Sequence, residues 1–96
     1  MSSTLIRNGR VITASDDYVA DVLMQGGVVR AIGTALEVGP DVKVVDATGL
    51  YVLPGGVDTH VHMENVIGPT ITCDTFASGT KAAAFGGTTT VVDFAL

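Results

Sequence analysis

Leu53-Pro54-Gly55-Gly56-Val57-Asp58-Thr59-His60-Val61-His62 carries both histidines of this 96-residue chain, two positions apart. Val57, Val61 and the intervening Thr59 favour extended backbone, and the run opens on Pro-Gly-Gly, a punctuation that separates it from what precedes. Side chains alternate along a strand, so His60 and His62 share one face with Asp58 behind them. Val57, Thr59, Val61 and Met63 take the opposite, mostly apolar face, suited to packing under a helix. Two adjacent imidazoles, each offering a nitrogen lone pair near neutral pH, make half of a divalent-metal site. The competing reading is a pair of strand histidines hydrogen-bonded to their neighbours. The segment is therefore expected to be a buried strand ending in two metal ligands.

Working outward, the run from Thr88 to Leu96 is a second strongly β-prone segment. Between the two lie a loop, Met63 to Ile71 with Gly68-Pro69, and a helix. Thr72 is the expected N-cap, with Asp74 in the first turn, and the helix runs to about Phe85 through Ala82-Ala83-Ala84. Gly86 fits a left-handed terminating position. Strand, helix, strand in this order reads as a parallel βαβ unit.

Residues 5–52 read as all-β. Leu5-Ile6-Arg7 and Val11-Ile12-Thr13 flank Asn8-Gly9, a tight-turn signal. Val19 to Met24 and Val28 to Ile32 are joined through Gln25-Gly26-Gly27, which reads as a hairpin rather than a phosphate cradle, since no helix or Lys-Ser/Thr follows. Val42 to Asp46 and Leu50 to Leu53 complete the set, separated by Ala47-Thr48-Gly49. The fold class is α/β, with a boundary between residues 1–52 and 53–96. A two-stranded parallel sheet with one helix leaves a face and both edges uncovered, whereas parallel sheets are nearly always buried on both faces. The expectation is the first piece of a larger protein.

Composition narrows the function. The chain is 47% apolar and 16% charged, with a net charge of −5 and only five basic residues, which are scattered. Nucleic acid and anionic membrane surfaces both need clustered Lys and Arg, so neither is an expected partner. Asp16, Asp17, Asp21, Glu37 and Asp41 read as a solvated acidic face. Cys73 is the single cysteine, which excludes an internal disulfide and leaves it a structural residue near the helix start. No apolar run reaches the length of a membrane span, and Arg7 and Arg10 interrupt any signal-peptide core. A cytoplasmic location is expected.

Three segments carry a family likeness: Leu5-Ile6-Arg7-Asn8-Gly9-Arg10-Val11-Ile12, Gly55-Gly56-Val57-Asp58-Thr59-His60-Val61-His62, and Ala82-Ala83-Ala84-Phe85-Gly86-Gly87-Thr88-Thr89-Thr90. Over essentially its whole length the chain resembles the N-terminal segment of dihydropyrimidinases and D-hydantoinases, cyclic amidases of the amidohydrolase superfamily. The resemblance implies that residues 1–52 are strands of a β-sandwich. Residues 53–96 would then be strand one, helix one and strand two of a (β/α)8 metal-dependent hydrolase barrel. It also implies two divalent metals, usually zinc in that family, with His60 and His62 on the more buried one. The bridging carboxylated lysine, two further histidines and a catalytic aspartate come from later strands there. Lys43 and Lys81 are misplaced for the bridging role, so no catalytic residue is expected within this chain and the segment alone is not expected to turn over substrate.

The implied reaction of the intact enzyme is metal-dependent hydrolysis of a cyclic amide bond in dihydropyrimidines or 5-substituted hydantoins, giving N-carbamoyl amino acids. The implied partners are a small cyclic ureide and further copies of the chain, as the family forms tetramers. Asp58 either orients a histidine or satisfies backbone groups beneath the metal. Asp93 reads as a structural hydrogen-bonding residue. Met63, Glu64, Asn65, Val66 and Ile67 open the loop after strand one, where such barrels place substrate contacts, although the apolar members equally suit packing of the loop itself. Three alternatives stand: allantoinase- or dihydroorotase-like activity on another ureide, a non-catalytic relative such as the collapsin response mediator proteins, and a truncated chain acting only in binding or assembly. Retention of both histidines counts against the second.

Overall fold

The computed structural model describes residues 2–94. It divides into two compact units, residues 1–54 and 55–96.

The first unit is a five-stranded sheet built around one long strand, β1 (Ser3–Ile12). On one edge β1 pairs antiparallel with β2 (Asp17–Gln25), which pairs in turn with β3 (Val28–Gly33). The β2–β3 connection is the expected hairpin. Gln25 faces Val28 across Gly26-Gly27, both at positive φ, the conformation a two-residue loop needs to match strand twist. On its other edge β1 carries two short parallel strands in succession, β4 (Lys43–Asp46) against Thr4–Arg7 and β5 (Tyr51–Val52) against Arg10–Val11.

Asn8-Gly9 makes no turn, contrary to the expectation from the dipeptide. The segments on either side form one continuous strand, and Asn8 sits at φ 60 in a β-bulge. Ile6 pairs with Val22 and Gly9 with Ala20, so β1 holds one residue more than its partner there. The left-handed tolerance of Asn is used for the bulge, and its N–H donates to the Asp21 carboxylate at 2.9 Å. The extra residue also shifts the phase of the alternation. Ile6 and Val11 would lie on opposite faces of a regular strand; here both belong to the core cluster with Ala20, Val22, Met24 and Val52. Gly9 is required for space, since a Cβ there would meet Val52 Cγ2 at 2.3 Å and Ala47 Cβ at 3.2 Å.

Asp21 corrects a second expectation. It is 1% exposed, not part of a solvated face. Its carboxylate accepts the N–H groups of Asn8 and Leu36 (2.9 and 3.0 Å) and pairs with Arg7 at 3.2 Å. A buried carboxylate survives only when its lone pairs are filled in this way. The Asn8 N–H first, then Leu36 and the Arg7 charge, hold its carboxyl below the ordinary aspartate range against the opposing effect of burial. Leu5, fully buried in the same unit, contributes about 1.5–3 kcal/mol by removal from water.

In the second unit, β6 (Gly56–Val61) and β9 (Thr88–Asp93) pair in parallel, with β7 (Val66–Ile67), β8 (Thr70–Ile71) and helix α1 (Phe76–Phe85) between them in sequence. Gly55 allows the close approach that starts the pairing, because a Cβ there would fall 1.9 Å from Thr89 Oγ1. The Gly56 N–H then donates to the Gly87 carbonyl at 2.8 Å. The expected buried strand is largely exposed in this unit, since one helix and one neighbour cannot cover both faces.

The helix starts three residues later than expected. Thr75, not Thr72, is the N-cap, in a reciprocal box with Ser78: the Ser78 N–H donates to Thr75 Oγ1 and the Thr75 N–H to Ser78 Oγ, at 3.0 and 2.9 Å. Asp74 therefore precedes the helix and accepts the Ser78 hydroxyl. Thr72 is used in the loop, its hydroxyl accepting the Asn65 N–H at 2.9 Å. At the far end Gly86 is right-handed (φ −87), and the left-handed residue is Gly87 (φ 91). No helix among the described residues is long and apolar enough to cross a membrane.

Candidate metal centre

His60 and His62 stand at the carboxyl-terminal end of β6, on the same side. Their Nε2 atoms lie 2.9 Å apart and their rings meet edge to face, with centroids 4.9 Å apart at 69°. Imidazoles bound to a common zinc through bonds of about 2.0–2.1 Å hold their nitrogens on the order of 3 Å apart, so this convergence fits two ligands of one cation. The same distance also suits a hydrogen bond between opposite tautomers. Among the described residues no third His, Cys, Asp or Glu joins them into a cluster of three. Two imidazole nitrogens would fill half of a four-coordinate shell.

The nearby carboxylates serve the backbone. Asp58 Oδ1 accepts the His60 N–H at 3.1 Å, fixing the strand just before the first histidine. Asp93, on β9, accepts the Met63 N–H at 3.1 Å, just after the second. Glu64 is at φ 51, and its carboxylate accepts the Phe76 N–H at the helix start at 2.6 Å, which draws it away from the histidines.

The segment expected as an open loop is partly structured. Met63 lies over Gly79, the one buried residue of α1, where a Cβ would come within 2.8 Å of the thioether sulfur. Asn65 is tied to Thr72, with the Thr72 N–H also donating to the Asn65 carbonyl, while Val66 and Ile67 form β7 of a small antiparallel hairpin and are exposed. Cys73 is exposed two residues before the cap. Phe94 was not among the expected site residues. Its ring contacts both imidazoles, with centroids 4.4 Å from His60 and 5.5 Å from His62. The only sequence signal for it was its place at the end of the second parallel strand.

No protein-family model matches the chain. Individual relatives do. The D-hydantoinase of Geobacillus stearothermophilus is 53% identical over 92 residues, covering 96% of this chain and 19% of that protein. The D-hydantoinase of Streptomyces coelicolor is 57% identical over 99 residues, 99% of this chain and 21% of its own length. Among solved structures, the dihydropyrimidinase of Brevibacillus agri superimposes with a TM-score of 0.88 at 58% identity, over 96% of this chain and 20% of that one. Sequence and fold thus relate the chain, from end to end, to the hydantoinases. More narrowly, it matches a segment of D-hydantoinases and dihydropyrimidinases, spanning about one fifth of the length of these relatives.

Proposed function

We propose that the protein carrying this chain hydrolyses the cyclic amide bond of dihydropyrimidines or 5-substituted hydantoins to N-carbamoyl amino acids, with His60 and His62 as ligands of a divalent metal. The observation that carries this reading is the 2.9 Å approach of the two Nε2 atoms at the end of a strand that pairs in parallel with β9. The names of the relatives support the substrate class. Residues 53–96 would supply strand one, helix one and strand two of a (β/α)8 barrel, whose chemistry sits at the carboxyl ends of its strands, and residues 1–52 would belong to the accompanying sandwich. The cytoplasmic location and homo-oligomeric assembly expected from the sequence form part of this proposal.

The residues of this chain act by holding ligands in place. His60 and His62 present two imidazole nitrogens from the end of one strand. Asp58 and Asp93 fix the backbone on either side of them through the His60 and Met63 N–H groups. A divalent cation held there supplies Lewis acidity, polarising an amide carbonyl and lowering the pKa of water. A second metal and the remaining ligands would come from residues outside this chain.

The test is ring opening of dihydrouracil and of a 5-substituted hydantoin by the zinc-loaded protein, followed as release of the N-carbamoyl amino acid. Metal content is measured in parallel on His60→Ala and His62→Ala. Turnover together with loss of metal in both variants supports the reading. Full metal retention in either variant, or opening of allantoin or dihydroorotate alone, would replace it.

A further inference from the structure

We infer that Phe94 is a positioning residue for the histidine pair, a role that rests on the metal reading of His60 and His62. Three tethers from Asp93, the last residue of β9, and Phe94, which follows it, converge on the four residues His60 to Met63. The Phe94 N–H donates to the carbonyl of Val61, the residue between the histidines, at 3.3 Å. Asp93 accepts the Met63 N–H at 3.1 Å. The Phe94 ring then lies against His60 at 4.4 Å and 53° and against His62 at 5.5 Å and 32°. Both separations are those of favourable tilted aromatic pairs.

The physical need is evident from the strand. β6 is exposed over most of its length, and an exposed imidazole has several χ1 and χ2 states of similar energy. Binding a cation between two such rings costs the freedom of both, unless a neighbour has already removed it. Asp58 does not do so, because its carboxylate is bonded to backbone. The Phe94 ring lies against both imidazoles, and its own backbone is fixed to the peptide between them. The flat ring limits how far each imidazole can rotate and leaves the two Nε2 atoms facing each other.

Co2+ serves as the probe, titrated into the metal-free protein and followed by affinity and by the visible absorption of the bound ion. Phe94→Ala is expected to raise the Co2+ dissociation constant by about 10-fold or more, the range seen for residues that orient metal ligands, and to change the visible band. Phe94→Tyr keeps the flat ring, and as Phe94 is 44% exposed a hydroxyl can be accommodated; it is expected to bind within about twofold of the parent. Phe94→Leu, which keeps apolar bulk without a flat face, is expected to behave like Phe94→Ala and separates positioning from simple loss of packing if the alanine variant unfolds. Unchanged affinity and spectrum in Phe94→Leu, or equal damage from Tyr and Leu, would overturn the inference while leaving the metal site intact. Failure of the parent protein to bind Co2+ through His60 and His62 would overturn both.

Discussion

Replacing Gly9 by Ala tests the packing logic of the first unit. Gly9 does not sit at positive φ, so alanine meets no backbone penalty and the whole effect must come from space. The new methyl would stand 2.3 Å from Val52 Cγ2, which must retreat by about 1 Å to reach ordinary contact, while Ala47 Cβ at 3.2 Å blocks part of the escape. Overpacking of this kind costs about 1–3 kcal/mol. Against it stands a gain of about 0.4–1 kcal/mol, because alanine stiffens the unfolded chain. The net expectation is a loss of about 1–2 kcal/mol, read as a fall on the order of 1 M in the urea midpoint of the unit's transition, monitored by circular dichroism. In a Val52→Ala background the clash is gone, so Gly9→Ala should become neutral or slightly stabilising, a coupling of about 1 kcal/mol or more. An equal cost in both backgrounds would refute the reasoning and place the requirement for glycine in the backbone.

Other perturbations have separate readouts. Leu5→Ala should cost about 2–5 kcal/mol in denaturant unfolding, because the side chain is fully buried; a loss under 1 kcal/mol would mean the site collapses freely. Thr75→Ala should lower stability by about 1 kcal/mol through loss of the cap, with Thr75→Ser restoring most of it; Thr72→Ala should leave the helix start unchanged. Asp21 is held below its ordinary pKa when folded, so its contribution is present above about pH 4 and is lost as pH falls through the depressed value. Urea midpoints between pH 2 and pH 7 should therefore decline on the acid side, and an Asp21→Asn protein that still folds should show a flatter decline. An identical acid limb in both would remove Asp21 from the account.

What the sequence revealed depended on how local each cause was. The histidine pair, the Gly26-Gly27 hairpin and the existence of α1 follow from periods and turn preferences within a few residues, and those were readable. Asn8-Gly9 was ambiguous because a residue that tolerates positive φ serves a bulge as well as a turn. The partner that decides between them, the Asp21 carboxylate, lies 13 residues away. Asp21 itself looked like one more acidic surface residue, and the Leu36 N–H that helps bury it is 15 residues distant. Thr72 was the expected cap, whereas the cap that forms is Thr75, because Ser78 three residues on can return a hydrogen bond to the Thr75 backbone. For the candidate site, spacing exposed the two histidines, while the contacts of Phe94 depend on the register of a parallel pair, which no local pattern encodes.

The bulge at Asn8 makes this strand respond differently to the loss and to the gain of one residue. Deleting one residue between Ile6 and Gly9 would preserve every remaining side chain and all the apolar content. It would also leave Ile6 and Val11 four residues apart, the in-phase spacing of a regular strand, so that Ile6 still faces Val22 and Gly9 still faces Ala20; what is lost is the bulge whose Asn8 N–H reaches Asp21. An insertion there, with the bulge retained, would put Val11 out of step with Ile6 and carry it from the cluster of Ala20 and Val22 to the opposite face. Single-codon gains should accordingly be excluded from residues 7 to 9 more strictly than single-codon losses, and libraries that lengthen loops in this protein should leave that tripeptide untouched.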